Sequence, residues 1–353
     1  MGFKRFDPED FVVSADAVTS TVWSGFRPSL NTYFSSSVQK EGTSGPYYLN
    51  VYQTASSVQG AEIQFAIAFA DKTGRGSVDF DGSVPGKSPS RTNYGQYRTL
   101  VLEDENAQFE FGTNFSGSHF YAVNIERARY KEKLFPGSLN LTISSSNTQL
   151  GALHLTDNSK VVSLPTFYGT QRAYQIISGS DGEAWSGNGY SYSGSYGLFL
   201  PDISTLLLNG SALDDNSAPG STGTDDGAGI NLGTNLTANT NGQNPSKLYT
   251  HISGSTGNSG GNIFELNAQE TITSDFVFVR ARNSEFNYSE NPSFISGSTG
   301  EVIYNYFIDN PTSFPTAVGM YNDSNELLAV AKLSKPITKD FTKEALIRVK
   351  LDF

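Results

Sequence analysis

Three histidines, His119, His154 and His251, are the residues of this chain whose type most often carries acid–base or metal chemistry. None stands at a two-histidine metal spacing, and His119 and His154 fall in or beside expected strands, so each reads as a structural side chain. A Ser-His-Asp nucleophile is assembled only in space. Its local signature, a Gly-x-Ser-x-Gly turn between a strand and a helix, has no convincing counterpart: Gly187-Asn-Gly189 and Gly194-Ser195 sit in low-complexity sequence. Thr73-Gly-Arg-Gly-Ser77 is Gly-rich but lacks the Lys-Ser/Thr pair and following helix of a phosphate loop, and reads as a turn. The Asp/Asn stretches at 214–216 and 225–226 offer oxygen ligands without the spaced acidic loop and closing Glu of a calcium site. Glu103, Asp104 and Glu105 are adjacent, whereas a glycosidase draws its two acids from different elements. With no cysteine, thiolate catalysis, disulfides, Cys-zinc sites and iron–sulfur clusters are excluded. The expectation is no catalytic residue, no metal ligand and no cofactor.

Binding chemistry remains. Arg127, Arg129, Lys131 and Lys133 form the most charged short stretch, suited either to an acidic partner or to a solvated edge that discourages misassembly. The Tyr/Gly/Ser stretch 185–197, with Trp185, Tyr190, Tyr192 and Tyr196, is an aromatic platform in search of a ligand. The expected partner contacts are Arg127, Arg129, Lys131, Lys133, Tyr190, Tyr192 and the terminal Phe353. Charge narrows the partners. Twenty-four basic against 35 acidic residues give −11, which disfavours nucleic acid and anionic membranes. No 18-residue apolar run predicts a membrane span, and the opening Met-Gly-Phe-Lys-Arg-Phe lacks the apolar core of a signal peptide.

The elements that must position these residues read as mainly β: antiparallel, sandwich-like sheets with long loops and at most one or two short helices. Abundant Phe, Tyr and Thr suit a pleated surface, and 35 Gly supply turns. Ile63, Phe65, Ile67 and Phe69 alternate with Glu62, Gln64, Ala66 and Ala68, which predicts a strand over 61–69. Strands are also expected at 46–54, 97–102, 108–111, 120–126, 139–143, 271–282, 301–308 and 344–353, with two more within 150–177 and a loop at 71–96. Residues 316–321 and 326–333 flank a four-residue polar turn and predict a hairpin. The apolar island Tyr196–Leu213 is the best helix candidate, the helix starting after Pro201-Asp202 with Asp202 as its cap. Composition divides the chain into an N-terminal arm or meander, 1–45; a β domain, 46–177; a Gly/Ser/Asn-rich insertion, 178–262, with a short helix near 202–213; and a C-terminal β part, 263–353, packing on 46–177.

Several segments resemble virion structural proteins of contractile-tailed phages, especially those infecting marine cyanobacteria. The longest are Thr316-Ala-Val-Gly-Met-Tyr-Asn-Asp-Ser-Asn-Glu-Leu-Leu-Ala-Val-Ala-Lys-Leu-Ser-Lys-Pro336 and Glu344-Ala-Leu-Ile-Arg-Val-Lys-Leu-Asp-Phe353. Asp7-Pro-Glu-Asp-Phe11, Tyr48-Leu-Asn-Val-Tyr52, Glu126-Arg-Ala-Arg-Tyr-Lys-Glu-Lys-Leu134 and Tyr196-Gly-Leu-Phe-Leu-Pro-Asp202 add to it, while 214–262 lies outside the resemblance. It implies a non-enzymatic particle component, first of tail or baseplate and second of neck or head decoration. Such a protein assembles in the host cytoplasm with other virion proteins, as a homo-oligomer or multi-copy ring. Two further readings compete: a glycan-binding adhesin or glycosidase of β-sandwich type, and a bacterial cytoplasmic β-domain.

Overall fold

The computed structural model describes residues 4–35, 48–76, 89–111, 116–146, 152–184, 196–215, 229–237, 243–254 and 263–352. The fold is mainly β with antiparallel pairing, as expected; strand accounts for 42% and helix for 14%, and among the described residues two of four α-helices are single turns. The chain divides into two compact units, Val18–Glu270 and a terminal unit of Met1–Ala17 with Thr271–Phe353.

The larger unit is one long sheet. Eleven strands follow each other side by side, with Ser29–Leu30 at one end and Phe34–Ser35 at the other. A flat sheet of that size would span about 50 Å. Yet the two end strands are separated by only three residues, which reach about 14 Å from Leu30 to Phe34. The sheet must therefore curl round until its ends nearly meet, packing its inner face against itself. That inner face holds Leu49, Val51, Phe65, Ile67, Tyr121, Val123, Leu141, Leu155, Phe199 and Leu206, and the helix Asn244–Ser253 adds Leu248 and Ile252.

The central strands are covered outside as well. Phe120, Ala122, Leu198, Leu200 and Leu207 point the other way, into a second cluster completed by Phe109, Phe111 and by Tyr94 and Val101 of the helix Pro89–Leu102. Successive residues of one strand thus enter opposite clusters, each burial contributing about 1.5–3 kcal/mol.

That two-sided burial puts strands where a helix was expected. The expected helix near 202–213 is instead a hairpin, Gly197–Leu200 with Thr205–Asn209, followed by a single helical turn, Gly210–Asp214. Leu206-Leu207-Leu208 is continuous because both faces are buried, and a continuous apolar run does not distinguish a central strand from a helix. Asp202 caps nothing; its carboxylate takes Nε and a terminal nitrogen of Arg172. Asn209 is the residue that caps the turn, accepting from the Ser211 N–H at 3.0 Å.

Two strand expectations fail for the converse reason. Residues 97–102 end the helix Pro89–Leu102, where Tyr94, Tyr97 and Val101 share one face. Within 301–308 apolar residues fall in both alternating sets, and the structure forms an isolated Ile295–Val302 bridge and a helical turn, Asn305–Asp309. Within the continuous apolar run 276–279 only Val277 is buried, and the other three are half-buried.

The domain boundaries also differ from those drawn on composition. Residues 4–17 belong with the C-terminal unit, and the 178–262 segment supplies central strands of the large sheet. Sheet pairing is non-local: Ser29–Leu30 meets Phe264–Glu265, which meets Asn140–Ile143. Composition carries no record of such partners.

Candidate functional site

The basic cluster 127–133 is dispersed in the structure. Arg127–Arg129 is a 3-10 turn and Lys133–Leu134 a short strand paired with Ala268 and Gln269, so the four cations share no face. Each has a partner within the larger unit. The Arg127 guanidinium donates to the Tyr130 and Lys131 carbonyls at 2.6 and 2.8 Å and lies 4.7 Å from the Tyr130 ring centre. Arg129 meets Glu62 at 2.8 Å, Lys131 meets Glu270 at 2.9 Å, and Lys133 meets Glu132 at 3.2 Å. Their charges are answered internally. Tyr190, Tyr192 and Phe353, like Trp185, lie outside the described residues. Tyr196 is buried in the inner cluster and presents no platform.

The histidines sit apart. His154 Nδ1 is 3.2 Å from Thr142 Oγ1, and burial lowers its pKa. His251 Nδ1 is 2.6 Å from the Ser144 carbonyl. Around His119 a serine and an aspartate do converge: Ser118 Oγ is 3.2 Å from Nδ1 and Asp214 Oδ2 is 3.8 Å from Nε2. The second distance is too long for a hydrogen bond. Asp214 instead accepts the Thr234 N–H and hydroxyl, both at 2.8 Å, and Thr234 Oγ1 meets the Tyr121 hydroxyl, whose pKa burial pushes well up. The ring is sealed under Gly210, where a Cβ would stand 2.2 Å from a His119 ring carbon. This geometry fits packing of the 119–125 strand on the 210–214 turn better than proton relay. Among the described residues no group of three His, Asp or Glu could hold a metal, and no helix is long and apolar enough to cross a membrane.

The terminal unit presents a different surface. Its sheet runs in the order Phe11–Thr21, Asn267–Ala281, Ala345–Asp352, and of these strands residues 11–17, 271–281 and 345–352 belong to the unit. Val277, Val279, Ile347, Val349 and Leu351 line one face, and the hairpin Ala317–Tyr321 with Leu327–Lys332 packs against it through Met320, Ala329 and Ala331. Phe6 joins that core, and Lys4 reaches the Arg280 carbonyl at 2.6 Å and Glu285 at 2.9 Å. The segment from Lys4 and the strand ending at Asp352 thereby belong to one unit.

The hairpin's side chains are ordered against the usual rule. The small residues Ala329 and Ala331 face inward, while Leu327, Leu328 and Val330 are exposed at 52, 68 and 60%. Leu328 is the extra residue of a bulge, since Met320 pairs with Ala329 and Tyr321 with Leu327. Gly319, opposite Val330, leaves room for its neighbours: a Cβ there would be 3.0 Å from the Tyr321 ring and 3.4 Å from a Leu327 methyl. The turn is fixed by Asn322, whose Oδ1 accepts the Ser324 and Glu326 N–H groups at 3.0 and 2.8 Å. An apolar ribbon is thus held rigidly with its larger side chains toward solvent. Elsewhere in the unit Tyr288, Phe294, Tyr304, Tyr306 and Phe307 form a ring cluster in which only Phe307 is buried; Tyr304 and Tyr306 stand 5.4 Å apart at 34°.

Sequence reading found the hairpin and missed its surface. The signal was present as Leu-Leu-Ala-Val-Ala, where large and small apolar residues alternate. Pattern alone assigns the larger set to the core. Comparison with protein-family models, with curated proteins and with solved structures finds no match to this chain.

Proposed function

We propose that this chain is a structural component of a tailed-phage particle, in the tail or baseplate, acting through protein–protein interfaces. The observation that carries the reading is the outward-facing apolar side of the 317–332 hairpin. A contiguous apolar surface on a rigid element marks an interaction site, and here the smaller side chains were given to the fold and the larger ones to the outside. The longest segment of resemblance, Thr316–Pro336, covers that same hairpin. In this reading the protein binds other virion proteins and further copies of itself, engages neither nucleic acid nor membrane, and catalyses no reaction.

Immunogold labelling of particles from a phage encoding the chain tests this. Regular labelling at the tail or baseplate is the expected result; unlabelled particles, with the chain found only in the soluble lysate, would overturn it. Labelling at the neck or head would move the protein within the particle and keep the chemistry. One observation favours a second reading, a glycan-binding adhesin: the exposed Tyr304–Tyr306 pair is an aromatic platform of the kind that sugar rings stack on. Glycan-array binding abolished by Tyr306→Ala would support it.

A further inference from the structure

The terminal sheet has two outer edges that no described strand occupies, one on Phe11–Thr21 and one on Ala345–Asp352. An open edge is a row of unpaired backbone groups, and proteins blunt such edges with charge, proline, bulges or short length. The two edges differ in this respect. Ala345–Asp352 is eight residues and carries Arg348, Lys350 and Asp352. Over 11–17 the other strand reads Phe-Val-Val-Ser-Ala-Asp-Ala, with Asp16 as its only charge and no proline. Six of these seven residues are exposed, so neither face of the strand is covered. It has the features of an edge meant to be paired.

From these edges we infer that the 11–17 edge pairs with the Ala345–Asp352 edge of a second copy of this chain. Charge selects that occupant. Two 11–17 strands paired antiparallel about Asp16 would set carboxylate against carboxylate, and two 345–352 strands centred on Val349 would set Arg348 against Lys350. Like charges directly opposite destabilise a pair of strands. The mixed pairing, run parallel with Asp16 opposite Lys350, also sets Arg348 diagonal to Asp16 and Val12 opposite Leu346, all on one face. Because the two edges are different surfaces, the contact is head-to-tail, and repetition gives a ring where the rotation closes or a filament where it does not. This inference rests on the assembly reading and names one of its contacts.

The test is sedimentation of the full chain across a concentration series. The wild type is compared with Asp16→Lys, with Arg348→Glu/Lys350→Glu, and with all three together; circular dichroism checks each fold. The wild type is expected to form oligomers. Each charge reversal alone should weaken association on the order of fivefold, and the combination should restore it, the signature of direct coupling. Hydrogen exchange at Val12–Asp16 should slow on association. A wild type that stays monomeric at every concentration overturns the inference, as does a triple variant as weak as the sum of the singles. If Leu328→Glu dissolves the oligomer while Asp16→Lys leaves it intact, edge pairing fails and the assembly reading stands.

Discussion

The two units use the same side chains to opposite ends. Between residues 18 and 270 the apolar residues fill two clusters, of 31 and 11 buried residues, on the two faces of one sheet. The terminal unit has a core of three, Val277, Met320 and Val349. It holds under a third of the sequence, yet most of the exposed large apolar side chains among the described residues are on it. What keeps it in shape is largely polar. Lys339 is fully buried and gives its ammonium to three uncharged oxygens: the Asn283 carbonyl at 3.0 Å, Asn287 Oδ1 at 2.6 Å and the Asp340 carbonyl at 3.1 Å. Lys4 pins the N-terminal segment, and Ser274 donates to Asp352 at 2.6 Å. The contrast teaches that the larger unit buries its apolar residues on both faces of its sheet, whereas the smaller one buries few and leaves many of its large apolar side chains exposed.

The contrast is easiest to break at its strongest point. Phe65→Ala or Leu206→Ala opens a cavity in the inner cluster and is expected to cost about 3–5 kcal/mol in chemical denaturation. Next in size is Lys339→Met. It removes three donated hydrogen bonds and leaves the buried Asn287 Oδ1 and two part-buried carbonyls without that donor, a loss of about 2–3 kcal/mol. Units with separate cores should melt separately. Two transitions are expected, with Lys339→Met moving only the terminal one and Phe65→Ala only the other. A single transition shifted equally by both variants would show one cooperative block and dissolve the comparison.

How much of this was legible depended on whether the two faces of an element differ in polarity or side-chain size. Ile63–Asp71 and Ala345–Asp352 were readable within two residues because both keep a period of two: Arg348 and Lys350 hold one side of the second strand polar, and in the first large side chains alternate with Gln64 and small alanines, of which Ala70 is buried in the second cluster. The 317–332 hairpin was readable from its turn. Leu206-Leu207-Leu208 was not, because burial on both sides erases the period. Nor were the partners of the basic cluster, since Arg129 and Lys131 find Glu62 and Glu270 at separations of 67 and 139 residues. The candidate surface was half legible: sequence gave the ribbon, but which of its faces points inward is settled by packing against Val277 and Val349.

A smaller effect tests the larger unit's own polar ties. The Arg172 guanidinium forks onto Asp202, holding its carboxyl below the usual 3.8. A depressed folded pKa contributes stability that is present above 3.8 and is lost as pH falls below it. Asp202→Asn should therefore cost about 1 kcal/mol at pH 7, and the cost should vanish on acidification below pH 3.8. A wild-type-to-variant difference that stays constant from pH 7 to pH 3 would mean that the pair contributes packing and no charge.

The smallest effect on stability carries the most weight for function. Leu328→Ser and Val330→Ser replace exposed apolar side chains, and surface changes of this kind stay within about 0.5 kcal/mol. In a protein whose apolar residues serve only its own fold, such substitutions would be silent throughout. Here the folded chain should be unchanged in denaturation while incorporation into particles falls sharply, measured by complementing a phage lacking the wild-type gene. Loss of stability without loss of incorporation would assign Leu328 and Val330 to the core of the terminal unit, and its apolar surface would then be a consequence of the fold with no partner to explain it.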